Sequence, residues 1–215
     1  MQATQTYQKT NDFNDIMNNR RSIKQYDPSV KISREEMSQI IEQASTAPSS
    51  INMQPWRFVV IDTEEGKEKI APLASFNLEK VMSASAVIAI FADLKNIEYG
   101  EEIYGKAVEL GYMPADVMRA QLDYFKPAYE NAPYDTMKDI IMLDTGLASM
   151  QLMLVARAHG YGTNPIGGYD KENIAEVLDL DKDRYVPVML LTIGKALNDG
   201  FQSYRLPVET TTQWK

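Results

Sequence analysis

The stretch from Thr136 to His159 constrains this chain more than any other part of it. Ile140, Ile141, Leu143, Leu147, Met150, Leu152, Met153, Leu154 and Val155 recur at helical spacing, yet they occupy more than one face of the helix they imply. At 1.5 Å per residue that helix is ~36 Å long. It is predicted to be buried nearly all round, as a core or dimer-interface helix. Gly160 supplies its stop, and His159 in the last turn suits the negative end of the helix dipole. Asp144 and Arg157 interrupt the apolar run before it reaches the ~18 uncharged residues that a bilayer span requires.

Phe58 to Asp62, Ala86 to Asp93 and Val186 to Gly194 are short apolar runs rich in β-branched residues, as expected of strands covered on both faces. Pro187 is tolerable where a strand begins. Asp12 to Asn19 reads as a short helix. Ser33-Arg34-Glu35-Glu36 is a capping box ahead of an apolar stripe of Met37, Ile40, Ile41 and Ala44. Further helices are predicted around Glu64 to Ala74, Glu101 to Tyr129 and Lys171 to Leu178. The pattern is α+β or α/β. With no repeat, low-complexity tract or Pro/Gly/Ser-rich linker, residues 1–215 read as a single domain.

Composition narrows the chemistry. The 215 residues contain no Cys and one His, which excludes disulfides, thiolate metal sites and a Cys nucleophile, and makes a Ser-His-Asp triad improbable. No carboxylate or HExxH-like cluster suggests a metal. A net charge of −8 argues against a nucleic-acid partner. The polar residues 1–19 lack the apolar core of a signal peptide, so the expectation is a cytoplasmic protein without membrane insertion. Gly160-Tyr161-Gly162 follows a helix and lacks the third glycine of a dinucleotide fingerprint, and no GxxxxGK[ST] or GxSxG motif occurs.

Two segments remain that carry binding chemistry. Arg20-Arg21-Ser22-Ile23-Lys24 offers forked guanidinium donors, a hydroxyl and an ammonium, the donors that phosphate oxygens take. About thirty residues later, Pro48-Ser49-Ser50-Ile51-Asn52-Met53-Gln54-Pro55-Trp56 is a polar, turn-rich loop ending in an aromatic. Each alone reads as a solvated face or a loop entering a strand. Their joint occurrence in this order points to an anionic, planar cofactor.

The chain resembles the FMN-dependent nitroreductase family, in particular its oxygen-insensitive NAD(P)H branch. Arg20, Ser22 and Lys24 give the RxSxK pattern, and Pro48 to Trp56 give PSSxNxQPW. Asn77 and Lys80 in FNLEKVMSAS, Pro165-Ile166-Gly167-Gly168-Tyr169-Asp170 and Arg205-Leu206-Pro207 extend the match over nearly the whole chain. The resemblance implies an α+β, three-layer fold with a central mixed sheet flanked by helices, in an intertwined homodimer with shared active sites. Residues 1–11 are expected to be a flexible N-terminus, and 200–215 an arm wrapping the partner subunit.

The resemblance also implies site roles. Arg20, Arg21, Ser22 and Arg205 fall near the FMN phosphate and ribityl chain. Lys24, Asn77 and Lys80 fall on the pyrimidine side of the flavin, where reduction builds negative charge. Pro48, Ser49, Ser50 and Asn52 belong to a loop reaching the flavin of the other subunit, while Gln54, Pro55 and Trp56 read as structural. Pro165, Ile166, Gly167 and Gly168 face flavin N5 through a main-chain N–H. Gly167 stands where the branch usually has Glu, and Ser203 where a phosphate-facing Lys is common; Lys195 is a candidate to compensate. Tyr124 and Phe125 are candidates for the wall of the acceptor pocket, with plain core packing as the competing reading.

The implied reaction is ping-pong hydride transfer from NAD(P)H through flavin N5 to nitroaromatics, quinones or related electrophiles. The cofactor carries the chemistry, so no catalytic side chain is expected. The alternative is a non-enzymatic FMN-binding redox sensor or flavin carrier.

Overall fold

In the computed structural model, which describes residues 7–215, four strands form one sheet: β1 (Trp56–Ile61), β2 (Ala86–Asp93), β3 (Gly162–Ile166) and β4 (Tyr185–Gly194), ordered β1-β2-β4-β3. The helices are α1 (Phe13–Asn19), α2 (Arg34–Ala44), α3 (Glu64–Ile70), α4 (Leu78–Ser83), α5 (Gly100–Glu109), α6 (Ala115–Glu130), α7 (Tyr134–Ala158), α8 (Ile174–Val177) and α9 (Val208–Thr211).

The fold is α+β in three layers, and β2 shows why. Its side chains alternate between faces. Ile88, Ile90 and Ala92 join Met37 and Ile40 of α2 and Ile141, Leu152 and Ala156 of α7 on one side. Val87, Ala89 and Phe91 join Ile70 of α3, Val81 of α4 and Ile174 of α8 on the other. Every residue of β2 is buried, which is the continuous apolar run visible in the sequence.

Several expectations need correction. Among the described residues the sheet is not mixed: all three ladders are antiparallel, and parallel pairing is confined to an isolated bridge between Ser22 and Thr163. The strand β3 was not anticipated, because GTNPI carries the Gly, Asn and Pro of a turn; its pairing with β4 overrides that local preference. Pro187 lies at the third position of β4, next to the irregularity between Ile90 and Phe91, where a missing N–H is tolerated.

The helix expected over Glu101 to Tyr129 is two, α5 and α6. They are separated by Gly111, at φ 75°, and by Pro114 at the α6 N-cap. The helix expected from Lys171 shrinks to α8, because the Asp170 carboxylate takes the Glu172 and Asn173 N–H groups into a turn. The long helix α7 is not buried all round. Leu143, Leu147 and Met150 form an exposed stripe along it, with Leu143 67% exposed. Its other side packs on α2 and the sheet.

Of the N-terminus, expected to be flexible over 1–11, residues 7–11 are held in place: Tyr7 is buried, and the Thr10 N–H donates to the Ala158 carbonyl at the end of α7. Residues 1–6 lie outside the described residues. In the tail, Phe201, Tyr204, Leu206, Val208 and Trp214 are all exposed.

Candidate cofactor site

The register of the sheet separates the sequence-predicted residues into two groups. Trp56 pairs with Ala92 at one end of β2, while Ala86 pairs with Ile193 at the other. The loop that precedes β1 and the segments that flank the end of β4 therefore lie at opposite ends of the sheet.

At the β4 end, Arg20 to Lys24 run as extended chain beside β3. Asp12 caps α1 by accepting the Asn14 and Asp15 N–H groups, and α1 stops at Asn19. Asp15 pairs with the buried Arg157 of α7 at 2.6 Å, which fixes the helix that delivers Arg20. The Ile23 N–H then donates to the Thr163 carbonyl at 2.9 Å, and the Asn164 amide donates to the Ile23 carbonyl at 2.8 Å. Ile23 is fully buried, whereas Ser22 and Lys24 on either side are exposed. Period-2 alternation thus turns Ser22 and Lys24 outward together. The close approach depends on Gly162, where an added Cβ would lie 2.5 Å from Ile23 Cγ1.

Arg20 and Arg21 line a cleft of about 230 Å³ with Met17, Asn18, Ser203 and Arg205. Lys24 sits over the ring of Phe201, 4.9 Å from its centroid, so the tail closes over the same region. Asn77 and Lys80 join them: the Lys80 ammonium donates to the Asn77 side-chain oxygen, and the Asn77 amide donates to the Gly168 carbonyl at 3.2 Å. Burial, then the neighbouring charge of Lys24, holds the Lys80 pKa below its ordinary value. Gly167 and Gly168 follow directly on β3, and a Cβ at either would meet nothing within 4 Å.

Among the described residues, none of Arg20, Arg21, Lys24, Lys80 and Arg205 has a carboxylate within 4.0 Å, although the chain carries a net charge of −8. Five cations with no carboxylate in contact, at one end of an acidic protein, have the chemistry to attract an anion. Lys195 is not part of it. Its ammonium is spent on the Tyr7 and Gly160 carbonyls, so it does not stand in for a lysine at Ser203.

At the other end, the loop from Pro48 to Gln54 is held in an unusual conformation. Ile51, Asn52 and Gln54 have φ of 46°, 59° and 46°, and for the β-branched Ile51 this is strained. The loop is pinned from several sides. The Asp144 carboxylate accepts the Ser50 N–H at 2.9 Å and its hydroxyl at 3.2 Å; Ser49 Oγ accepts the Gln54 N–H; and the Tyr104 hydroxyl donates to the Ile51 carbonyl at 2.8 Å. Burial raises the Asp144 pKa against the two Ser50 hydrogen bonds, which lower it. Trp56 packs with Ala47 and Ala148 in the structural role expected of it. Tyr124 and Phe125 lie on α6 as an edge-to-face pair 5.0 Å apart, Tyr124 exposed and Phe125 half-buried. Leu122 of the same helix packs with Met53 and Ile51, so α6 belongs with the loop and not with the cations.

Three residues of this geometry were not singled out from the sequence: Tyr7, Asp144 as a loop anchor, and Phe76, which projects from the turn before Asn77 and is 98% exposed. A fully exposed Phe beside a binding residue is a signal the FNLEK motif contained. Tyr7 and Asp144 act through contacts 14 and 94 residues away, which no local pattern announces.

A model of the Nitroreductase family matches residues 17–195. YdgI of Bacillus subtilis (strain 168), named as an NAD(P)H nitroreductase, is 64% identical over 207 residues, covering 96% of this chain and 99% of that protein. The CLA biosynthesis enone reductase of Lactiplantibacillus plantarum is 42% identical over 205 residues, 95% of this chain and 94% of that protein. A nitroreductase from Exiguobacterium sibiricum 255-15, crystallised in complex with FMN, superposes with a TM-score of 0.95 at 58% identity, covering 97% of this chain and all of that one. With the family model matched over residues 17–195, a relative 64% identical over 96% of the chain and a structure superposing over 97% of it, the chain belongs to the nitroreductase family.

Proposed function

We propose that the chain is an FMN-dependent NAD(P)H oxidoreductase that reduces nitroaromatics, quinones or related electrophiles in a ping-pong cycle. The observation that carries this reading is the set of five cations without carboxylate partners, arranged as two groups: arginines around a phosphate-sized cleft, and two lysines beside a backbone turn. A flavin mononucleotide has those two parts, a dianion and a planar ring that becomes negative on reduction.

Arg20, Arg21, Ser22 and Arg205 would hold the phosphate. Lys24 and Lys80, with Asn77 orienting Lys80, would balance charge on the pyrimidine side of the ring. The turn at Pro165 to Gly168 would present main-chain groups to the reactive edge, with space at Gly167 for a second planar molecule to stack. When bound, FMN supplies hydride acceptance and donation at N5. The protein's share is to position the two reactants in turn and to exclude water. Gly167 also leaves the site without a side-chain carboxylate there, which opens it to acceptors of more than one shape.

A homodimer with shared sites belongs to the proposal. Pro48, Ser49, Ser50 and Asn52 lie at the far end of the sheet from their own chain's cations, so they and α6, with Tyr124 and Phe125, would complete the site of a second copy. The exposed stripe Leu143, Leu147 and Met150 and the exposed aromatics of 200–215 supply apolar surface for that contact. A cytoplasmic setting fits an acidic chain whose long apolar helix, α7, packs on the sheet.

The test is reconstitution of the flavin-free protein followed by turnover. One FMN per chain, loss of FMN on dilution below the dimer's dissociation constant, and NAD(P)H oxidation that depends on added quinone or nitroaromatic are expected. A protein that takes up no FMN would overturn the reading.

A further inference from the structure

We propose that Tyr7 is a positioning residue of the phosphate cradle: its hydroxyl fixes the backbone at Arg21 and thereby the aim of the Arg20 and Arg21 guanidinium groups. This rests on the FMN reading above and goes beyond it, because Tyr7 does not line the cleft and reaches its arginines by hydrogen bonds to the Arg21 backbone.

The Arg21 peptide is in an exposed place to be left alone. α1 has ended at Asn19, and pairing with β3 begins only with the bridge at Ser22. In this gap the Tyr7 hydroxyl accepts the Arg21 N–H at 3.1 Å and faces the Arg21 carbonyl at 3.4 Å as donor. One hydroxyl can do both, since it carries a proton and two lone pairs. The backbone it fixes is the one from which Arg20 and Arg21 project into the cleft. Arg21 Nη1 in turn donates to the Asn18 and Arg20 carbonyls at 2.6 and 3.1 Å, so its guanidinium follows the local backbone.

Tyr7 is itself immobilised, as a positioning residue must be. It is 1% exposed and packs with Ile23, Tyr26, Ala84 and Ala196. The Arg157 guanidinium lies over its ring at 5.0 Å from the centroid, and the Lys195 ammonium holds its carbonyl. Arg157 also pairs with Asp15 of α1, so the same buried arginine braces both the tyrosine and the helix on the two sides of Arg20. Guanidinium groups aimed before a dianion arrives do not lose their rotamer freedom on binding it, and affinity rises by that amount.

The experiment compares wild type with Tyr7→Phe, which keeps the ring and its packing and deletes only the hydroxyl. The flavin-free proteins are titrated with FMN and, separately, with riboflavin, which has the same ring and no phosphate. Tyr7→Phe is expected to bind FMN about fivefold more weakly, the worth of one ordinary hydrogen bond, while riboflavin affinity stays within twofold of wild type. The flavin-free variant should melt within about 2–4 °C of wild type, which shows that it is folded.

Unchanged FMN affinity, or equal weakening toward both flavins, overturns the proposal and leaves the flavoprotein reading standing. Wild-type protein that binds neither flavin overturns both.

Discussion

The Asp144 carboxylate on α7 takes both donors of Ser50, its N–H at 2.9 Å and its hydroxyl at 3.2 Å, across 94 residues of sequence. Asp144 is 4% exposed and sits one residue from Leu143, which points outward on the apolar stripe. A strained loop is thus anchored to the very helix whose other face carries the exposed stripe of Leu143, Leu147 and Met150. Replacing Asp144 by Ala leaves the Ser50 donors without their partner, at a cost of about 1–3 kcal/mol. Asp144→Ala should therefore lower the melting temperature by several degrees and reduce turnover. Asp144→Asn, which keeps one acceptor oxygen, should retain more of both. Equal losses in the two variants would show that the hydrogen bonds are not what matters.

Arg205 is exposed and without a carboxylate partner, next to Ser203 on the cleft. If it holds a phosphate, Arg205→Ala removes one charge-assisted contact worth about 1.5–3 kcal/mol. FMN should then bind about 10- to 100-fold more weakly, and the remaining affinity should fall less steeply with added salt. Flavin content after purification reads this directly; a variant as yellow as wild type would remove Arg205 from the phosphate site.

Two glycines separate packing from function. At Gly162 a Cβ would collide with Ile23 Cγ1 at 2.5 Å, whereas at Gly167 it would meet nothing. Gly162→Ala should cost about 1–3 kcal/mol through overpacking and displace the segment that carries Ser22 and Lys24, weakening FMN. Combined with Ile23→Ala, which removes the colliding Cγ1, it should cost less than the two single changes added together if the positions are coupled. Gly167→Ala should leave the melting temperature nearly unchanged. Chemical denaturation of wild type, the three single variants and the double variant decides it.

Alkaline pH gives a further check. Burial pushes the Tyr161 pKa up to about 12, helped by its hydrogen bond to Glu36, and burial likewise raises Tyr7, Tyr26, Tyr104, Tyr129 and Tyr169. The folded chain then holds phenolic protons that the unfolded chain releases above its ordinary value of about 10. Stability from this source is intact below pH 10 and is lost as the pH rises from 10 toward the folded values. Tyr161→Phe should flatten the fall, and the tyrosinate absorbance by which wild type exceeds Tyr161→Phe should appear together with unfolding. A Tyr161 phenol that titrates near pH 10 in folded protein, read from that difference, would contradict its burial.

What the sequence told and withheld follows from how local each signal was. Ala86 to Asp93 is a strand because it is an apolar run as far as Ala92, with Val87, Ile88 and Ile90 β-branched, and the reading matched to the residue. The Ser33 cap of α2 and the Gly160 stop after α7 were visible for the same reason: one side chain, or the lack of one, decides the backbone there. The strand β3 and the tethering of Tyr7 were not visible, because each is imposed by groups far along the chain. The exposed stripe on α7 shows a third case. Its apolar residues were legible, but sequence does not say which neighbour buries them. The cations Arg20, Lys24, Lys80 and Arg205 were legible as chemistry, and their convergence only as resemblance; the geometry adds that, among the described residues, none of them has a carboxylate within 4.0 Å.

The most direct test of the account is the visible spectrum of the FMN-loaded protein in the absence of oxygen, recorded before and after NADPH or NADH and again after a quinone. The account predicts oxidised flavin bands that bleach with at least one of the two nicotinamides and return when the quinone is added. Flavin that stays oxidised with both would contradict an NAD(P)H oxidoreductase and leave a protein that binds FMN without turning it over.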